Sequence, residues 1–539
     1  MDILRKYVVG MFVCATATVS AQESFVADGI NYKITGATTV SVERKTGDNY
    51  VGNVMIPAEV SNDGKTYSVT AIGRGAFYNS MELTSVGLGR NVAEIGVSAF
   101  AGCLGLQKID VDASNASFSS AEGVLFNKNK TLLVKYPAAK EAETYIVPDG
   151  VAGIEVQAFD YTAAMSGIRF PESLQAIGAY AFMASSVIEI EIPDQVSYIG
   201  DYAFYQCPVL SKVTLGKGLT EISGFTFNTC KELKEVTVKG NLKSIGDYAF
   251  FSCFALEEFQ LPESLESIGA GAFKSCEKLR GITIGKNVKD IGLIPFSFCK
   301  AMRSIKVDEA NQWFKDIDGV LCDKAGTRII EYPAGRPGEY EIPSGITVIG
   351  NNAFYYCTRL NEILIPEGVT AIEASAFHAC QGLKTVTIPG SVRSVGSQAF
   401  MFCEELETVS IGYGVAEIGT MAFSMCGKLR QIDALPVTPP TLASDNVFST
   451  ETYASCHLTV PSEGLQAYKE AFGWSGFNHI GSMMGGVAFE NNDVDAGEIW
   501  TVYSVAGELV YRGGKSGFTA PCQGIYIVKD GKTTRKIKF

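Results

Sequence analysis

The sequence holds only three histidines in 539 residues, His378, His457 and His479, and none falls in an H-E-x-x-H pattern. G-x-S-x-G, Walker-type and properly placed G-x-G-x-x-G motifs are also missing, so the usual sequence carriers of metal, nucleophilic and phosphate chemistry are absent. A carboxylate pair of the kind glycosidases use leaves no spacing signature and stays open at this level. Basic charge is in deficit: 45 Lys+Arg face 58 Asp+Glu, a formal net charge of −13. That excludes a broad nucleic-acid surface, which needs clustered Lys and Arg. No apolar run reaches the roughly 18 residues of a membrane-spanning helix. No cofactor or metal is expected, and an enzyme is not.

What is plentiful is glycine, 56 residues, and cysteine, 14 residues. The N-terminus comes first because it stands apart. Arg5 and Lys6 precede an almost uncharged stretch from Tyr7 to Val19, and Val19-Ser20-Ala21 offers small residues before Gln22. The pattern predicts a secretory signal peptide over residues 1–21, cleaved near Ala21. A secreted or outer-surface location follows from it.

Beyond this segment one period dominates. A phenylalanine in Ile-Gly-x-x-Ala-Phe or a near variant recurs at Phe77, Phe100, Phe159, Phe182, Phe204, Phe227, Phe250, Phe273, Phe296, Phe354, Phe377, Phe400 and Phe423. Nine of the twelve intervals are 23 residues, one is 22, and two are 59 and 58. A full copy runs CQGLKTVTIPGSVRSVGSQAF from Cys380. Its period-2 apolar pair, Val386 and Ile388, places two side chains on one face of a short strand that the following Pro ends. The I-G-x-x-A-F segment predicts one helical or 3-10 turn with Ala and Phe directed inward. One strand and one turn cannot bury their own apolar side, so the rungs must stack. Thirteen stacked strands predict a parallel sheet on the order of 60 Å long.

The fold class predicted is an α/β leucine-rich-repeat solenoid, with a parallel β-sheet on one face and short helical or 3-10 turns on the other. The two long intervals contain matching segments, GVLFNKNKTLLVKYP (Gly123 to Pro137) and GVLCDKAGTRIIEYP (Gly319 to Pro333), which predict two β-hairpin insertions near 112–137 and 308–333. Residues 22–70 alternate apolar and polar positions as an N-terminal β cap. The solenoid then spans 71–435 and a C-terminal cap 436–480. A module at 485–539 predicts a small β-sandwich.

These motifs resemble the BspA-like family of bacterial leucine-rich-repeat surface proteins from about Phe25 to Ile480, including the GINYKI opening and the LTVPSEGLQAYKEAFGW ending. The resemblance implies an exported protein that binds host matrix proteins or other bacteria. The tail, with VYSVAGELVYRGG and GIYIVKDG, looks like a type IX secretion sorting domain.

Ten cysteines occupy one slot, three residues after an anchor Phe: Cys103, Cys207, Cys230, Cys253, Cys276, Cys299, Cys357, Cys380, Cys403 and Cys426. Ser80, Thr162 and Ser185 fill the slot in the other repeats, which a metal or disulfide role would not tolerate but a small buried site would. Buried thiols are therefore expected. The residue between the two apolar strand positions should face outward. In successive rungs it is Asp110, Arg169, Glu191, Thr214, Thr237, Gln260, Thr283, Lys306, Leu364, Thr387, Ser410 and Asp433. Core packing does not account for these side chains, and they form the candidate surface for a protein partner, whether a host extracellular matrix protein or a bacterial surface protein. A glycan-binding or glycan-processing role is the alternative. It calls for an aromatic platform, which this row lacks.

Overall fold

A computed structural model describes residues 24–483 and, beyond them, the backbone of four strands between 499 and 538. The signal peptide expected over residues 1–21 lies outside the described residues. The chain divides into two compact units, one running to Leu279 and including Asp290–Pro295, the other formed by Arg280–Lys289 and the chain from Phe296 onward.

Each repeat is one turn of a parallel β-solenoid carrying two ladders. In the longer ladder of the first unit, Lys212–Leu215 pairs with Glu235–Val238 in direct register, Val213 opposite Val236 and Thr214 opposite Thr237. The shorter ladder comes from the residues just before the repeated glycine, where Glu221–Ile222, Ser244–Ile245, Ser267–Ile268 and Asp290–Ile291 stack in parallel. Glycine ends each of these strands because the previous turn lies against it. A Cβ on Gly246 would sit 2.6 Å from the Gly224 nitrogen, and one on Gly292 would sit 2.3 Å from the Ala270 nitrogen.

The anchor segment is neither α-helix nor 3-10 helix, contrary to the sequence expectation. It is a pair of tight turns, each containing a residue at positive φ: Tyr202 (60°) and Gln206 (56°) flank Phe204, and Phe225 (57°) and Thr229 (62°) flank Phe227. These left-handed residues rotate the intervening peptides until their N–H groups point along the stacking direction. Phe204 N–H donates to Thr226 O (2.9 Å) and Gln206 N–H to Asn228 O (2.9 Å), both one turn ahead. A helix would have satisfied these groups within the turn and left the rungs unconnected there.

The anchor rings form a stack inside each unit. From Phe159 through Phe182, Phe204, Phe227 and Phe250 to Phe273, neighbouring centroids lie 4.8 to 5.3 Å apart with nearly parallel planes. In the second unit the stack runs from Phe354 to Phe423 and on to Phe448, which the repeat pattern had not marked. Tyr136 and Tyr332 extend the stacks at their other ends, 5.2 Å from Phe159 and 4.8 Å from Phe354. Each long interval thus contains a rung whose anchor is the Tyr of Tyr-Pro, 23 residues before Phe159 and 22 before Phe354.

The segments around the two matching sequences are paired in the same way. In the first, Phe118–Ala121 and Val124–Asn127 run antiparallel, Leu132–Lys135 follows antiparallel across a bulge, and that strand joins Gly153–Ile154 in the shorter ladder. In the second, Phe314–Ile317, Val320–Asp323 and Arg328–Glu331 repeat the arrangement. Val124, Leu125 and Phe126 are fully buried, so these strands are part of the core and not projecting arms. At each such place the longer ladder is interrupted. It is interrupted again at Gln260, which lies in no strand: the bulky Phe259 ring packs at a steep tilt against both Phe250 and Phe273, 5.2 Å from each. The single continuous sheet expected from the sequence is therefore a series of shorter ladders.

At the N-terminal end, Ser24–Ala27, Ile30–Ile34, Thr39–Glu43, Lys65–Ile72 and Glu59–Asn62 pair in that order, and Lys65–Ile72 passes directly into the shorter ladder beside Glu94–Ile95. After the last repeat come the helix Thr450–Ser455, the strand His457–Val460, the helix Leu465–Glu470 and the strand His479–Ser482. Trp474 is fully buried there, its indole N–H donating to Pro440 O at 2.7 Å. Among the described residues, the four strands beyond residue 498 form one antiparallel sheet.

Candidate binding face

Because strand side chains alternate, the longer ladder presents two outward rows separated by one buried residue. One row holds the positions singled out in the sequence. In the first unit Gly87 and Asp110 face each other across neighbouring strands, as do Ile146 and Arg169, and Glu191, Thr214 and Thr237 run in succession. In the second unit Thr283 faces Lys306, Glu341 faces Leu364, and Thr387, Ser410, Asp433 and Thr459 line up. Leu364 is 45% exposed and Ile146 67%, apolar side chains among polar ones. Ile146, Glu341 and Thr459 belong to the row although the repeat pattern did not reveal them, since each lies beside an interruption or past the last anchor. Met55 also belongs, 71% exposed, with its side chain lying over Gly87, where a Cβ would meet the sulfur at 2.4 Å.

The second row lies two residues earlier in each strand and carries much of the charge. Lys108 reaches Asp110 on its own strand at 2.8 Å, which shows that both rows share one face. Lys212 pairs with Glu235 at 2.9 Å, and Lys239 reaches Glu191 at 2.8 Å. Glu235 and Glu191, through these hydrogen bonds, raise the two ammonium groups above the ordinary lysine range. All these charges are well exposed, so they contribute little to stability and remain available to a partner. In the second unit a shallow depression lies at the foot of the antiparallel strands, lined by Lys306, Asp308, Glu309, Lys315, Asp316 and Lys324. Lys306 approaches Asp316 there at 3.4 Å.

The cysteine slot is buried and does one repeated job. The thiol donates to the carbonyl oxygen of the anchor residue one turn earlier: Cys103 to Phe77, Cys207 to Phe182, Cys230 to Phe204, Cys253 to Phe227, Cys276 to Phe250, Cys380 to Phe354, Cys403 to Phe377 and Cys426 to Phe400, all at 3.0 to 3.2 Å. Cys357 makes a longer contact of 3.9 Å to Tyr332 O, which again marks Tyr332 as an anchor. Where the slot holds Thr162, its hydroxyl donates to Phe159 O, the anchor of its own turn, and shares a hydrogen bond with Ser185 Oγ, both at 2.9 Å. Burial pushes the Cys103 and Cys426 thiols up to about 12 and those of Cys207, Cys253, Cys276, Cys357, Cys380 and Cys403 well above the ordinary range. Thiols held protonated are neither nucleophiles nor metal ligands. Among the described residues no three metal-ligating side chains converge.

Two places where the turns change partner use buried polar side chains. Lys135 forms an ion pair with Asp160, whose other oxygen accepts from Gly102 N–H at 3.2 Å. At the matching position Glu331 accepts from Phe296 N–H at 3.1 Å, and its Oε2 is buried without a partner. Burial raises this carboxyl to about 8. His378 is buried among Tyr355, Tyr356 and Phe402, and desolvation lowers its imidazole below the ordinary range. A second line of aromatics, half-buried, runs along the turns. Tyr180, Tyr202, Phe225 and Tyr248 stack along the turns at 4.5 to 5.1 Å and so cover one another's ring faces.

The family model for the BspA-type leucine-rich-repeat region matches residues 65–134, 138–253, 199–317 and 338–456, which is more than half of the chain. The chain belongs to the BspA-type leucine-rich-repeat family. The leucine-rich-repeat solenoid is a scaffold that is typically non-catalytic. Among solved structures, the BspA-type chain is similar to a leucine-rich-repeat protein from Bacteroides ovatus, with 26% identity over 76% of this chain and 94% of that one at a TM-score of 0.43. It is also similar to a leucine-rich cell surface protein from Faecalibacterium prausnitzii, with 23% identity over 77% and 95% of the two chains at a TM-score of 0.39. The pneumococcal vaccine antigen PcpA shares 17% identity over 86% and 99% at a TM-score of 0.39. No curated protein matches the chain. Among the described residues no helix is long and apolar enough to cross a membrane.

Proposed function

We propose that this BspA-type protein is an exported cell-surface interaction protein that binds a protein partner through the two outward rows of its longer ladder. The observation that carries the reading is the composition of those rows. Glu191, Thr214 and Thr237, and likewise Thr387, Ser410 and Asp433, form consecutive polar lines between buried residues, with charges and hydroxyls that the fold itself does not need. Repeat solenoids use extended faces of this kind for macromolecular ligands. Mixed charge and interspersed Ile146 and Leu364 fit a folded protein surface better than a uniformly charged polymer. Export is supported by the Arg5-Lys6 start and the apolar run up to Val19. Host extracellular matrix proteins and bacterial surface proteins are the two partner classes to try first.

A glycan partner is less well served. Sugar recognition of the stacking type needs an open ring face, and the half-buried rings at Tyr202 and Phe225 lie against their neighbours.

The test is solid-phase binding of the chain from Gln22 onward to matrix proteins and to bacterial cells, beside a variant with Arg169, Glu191, Thr214 and Lys306 all changed to Ala. Loss of binding in the variant supports the sheet face. Equal binding by both proteins removes that face from the model.

A further inference from the structure

Only three histidines occur in the chain, and the fold places two of them side by side. The strand His457–Val460 pairs in parallel with His479–Ser482, with His457 directly opposite His479. Both side chains are exposed and lie in the outward row two residues ahead of Thr459 and Gly481. Their rings are 5.1 Å apart and nearly parallel. The backbone beneath is fixed: His457 N–H donates to Arg430 O at 2.9 Å, and Leu458 is buried under the pair. Neighbouring polar groups are already engaged with one another, since Gln431 Nε2 and Thr459 Oγ1 both donate to Asp433 Oδ1. The two imidazoles are thus left facing solvent on a rigid base.

Neutral imidazole is a good ligand for copper(II), nickel(II) and zinc(II) and a poor one for magnesium or calcium. A metal bound at about 2.0 to 2.1 Å to one nitrogen of each ring needs those nitrogens about 3 Å apart. Exposed rings on in-register strands reach that separation by tipping about χ2, with no change in the backbone. We propose that His457 and His479 form a two-histidine surface site for a divalent transition metal of this class, with water completing the coordination. Binding forms two nitrogen–metal bonds and displaces metal-bound water, with no redox step. The site lies in the second outward row of the proposed protein-binding face, but its metal chemistry does not rest on that reading.

The test uses the chain from Gln22 onward with no affinity tag, titrated with nickel(II) and copper(II) by calorimetry. The expected result is about one equivalent bound, with His457→Gln and His479→Gln each weakening binding about tenfold or more and the double variant showing only background. Circular-dichroism melts of the variants should match the parent, since both rings are exposed. A parent that binds no better than the double variant overturns the proposal, and so does either single variant binding as tightly as the parent. The copper(II) electron paramagnetic resonance spectrum gives a second readout that needs no variant. Two coordinated imidazole nitrogens are expected, and one or none overturns the assignment.

Discussion

The Sγ of Cys380 donates to the carbonyl oxygen of Phe354 at 3.0 Å, joining adjacent turns of the second unit. The same bond recurs at Cys103, Cys207, Cys230, Cys253, Cys276, Cys403 and Cys426, and it explains why a small donor, not cysteine itself, is what the slot requires. Replacing Cys380 by Ser should keep the donor and cost about 1 kcal/mol or less, while Cys380→Ala should cost about 1 to 3 kcal/mol by leaving Phe354 O unsatisfied. Urea midpoints of the two variants decide this, and a Ser variant as unstable as the Ala variant would sink the donor role.

Thiols kept protonated by burial should resist modification. In the native protein at pH 8, Cys207, Cys253, Cys276, Cys357, Cys380 and Cys403 should fail to react with a thiol-specific disulfide reagent over an hour, then react fully in denaturant without added reductant. Mass mapping of the labelled peptides is the measurement. Fast native labelling, or disulfides in the denatured sample, would contradict the buried-thiol assignment.

Glu331 makes the second unit pH-sensitive. Its carboxyl titrates near 8 in the folded chain and at the ordinary 4.5 when unfolded, because burial penalises the charged form. The folded state therefore holds the extra proton between these values, so the contribution is complete below 4.5 and is lost as pH rises through 8. Glu331→Gln keeps an acceptor for Phe296 N–H and removes the titration. Its urea midpoint should exceed that of the parent at pH 9, with an effect on the order of a few kcal/mol, and converge with it at pH 4. A constant difference across this range would show that Glu331 is not the group responsible.

The repeated glycine is a steric requirement. Gly246→Ala places a methyl against the Gly224 backbone, which has no rotamer with which to yield. The substitution should cost about 2 to 3 kcal/mol. Gly285→Ala, where a Cβ meets nothing within 4 Å, is the control and should change stability little. Thermal melts of the pair distinguish this account from a general intolerance of added methyls.

Spacing alone revealed the turn length, the inward Phe, the slot cysteines and the outward strand position, because each recurs at a fixed offset from one residue type. The departures had physical reasons. Tyr136 and Tyr332 were hidden because Lys-Tyr and Glu-Tyr stand there in place of Ala-Phe. The tight turns passed for helix because nothing in Tyr202, Phe225 or Gln206 announces positive φ, a backbone state usually left to glycine. The shorter ladder has only two residues per strand, too few for a period to be visible. Gln260 is exposed as the pattern expects but lies in no strand, next to the bulky Phe259 that packs against Phe250 and Phe273. The histidine pair depends on strand register across 22 residues of cap, which no local pattern encodes.

In the regular rungs the slot thiol reaches back one turn to an anchor carbonyl, as Cys380 does to Phe354, and the anchor N–H reaches forward one turn, as Phe377 does to Ala399. Whole rungs are therefore interchangeable links: removing residues 377–399 would join Ala376 to Phe400 and hand each orphaned donor the equivalent acceptor from the next turn. Length is then a quantity this architecture can gain or lose in steps of 23 residues, with the outward rows lengthening or shortening by one side chain apiece while the buried bonding stays the same.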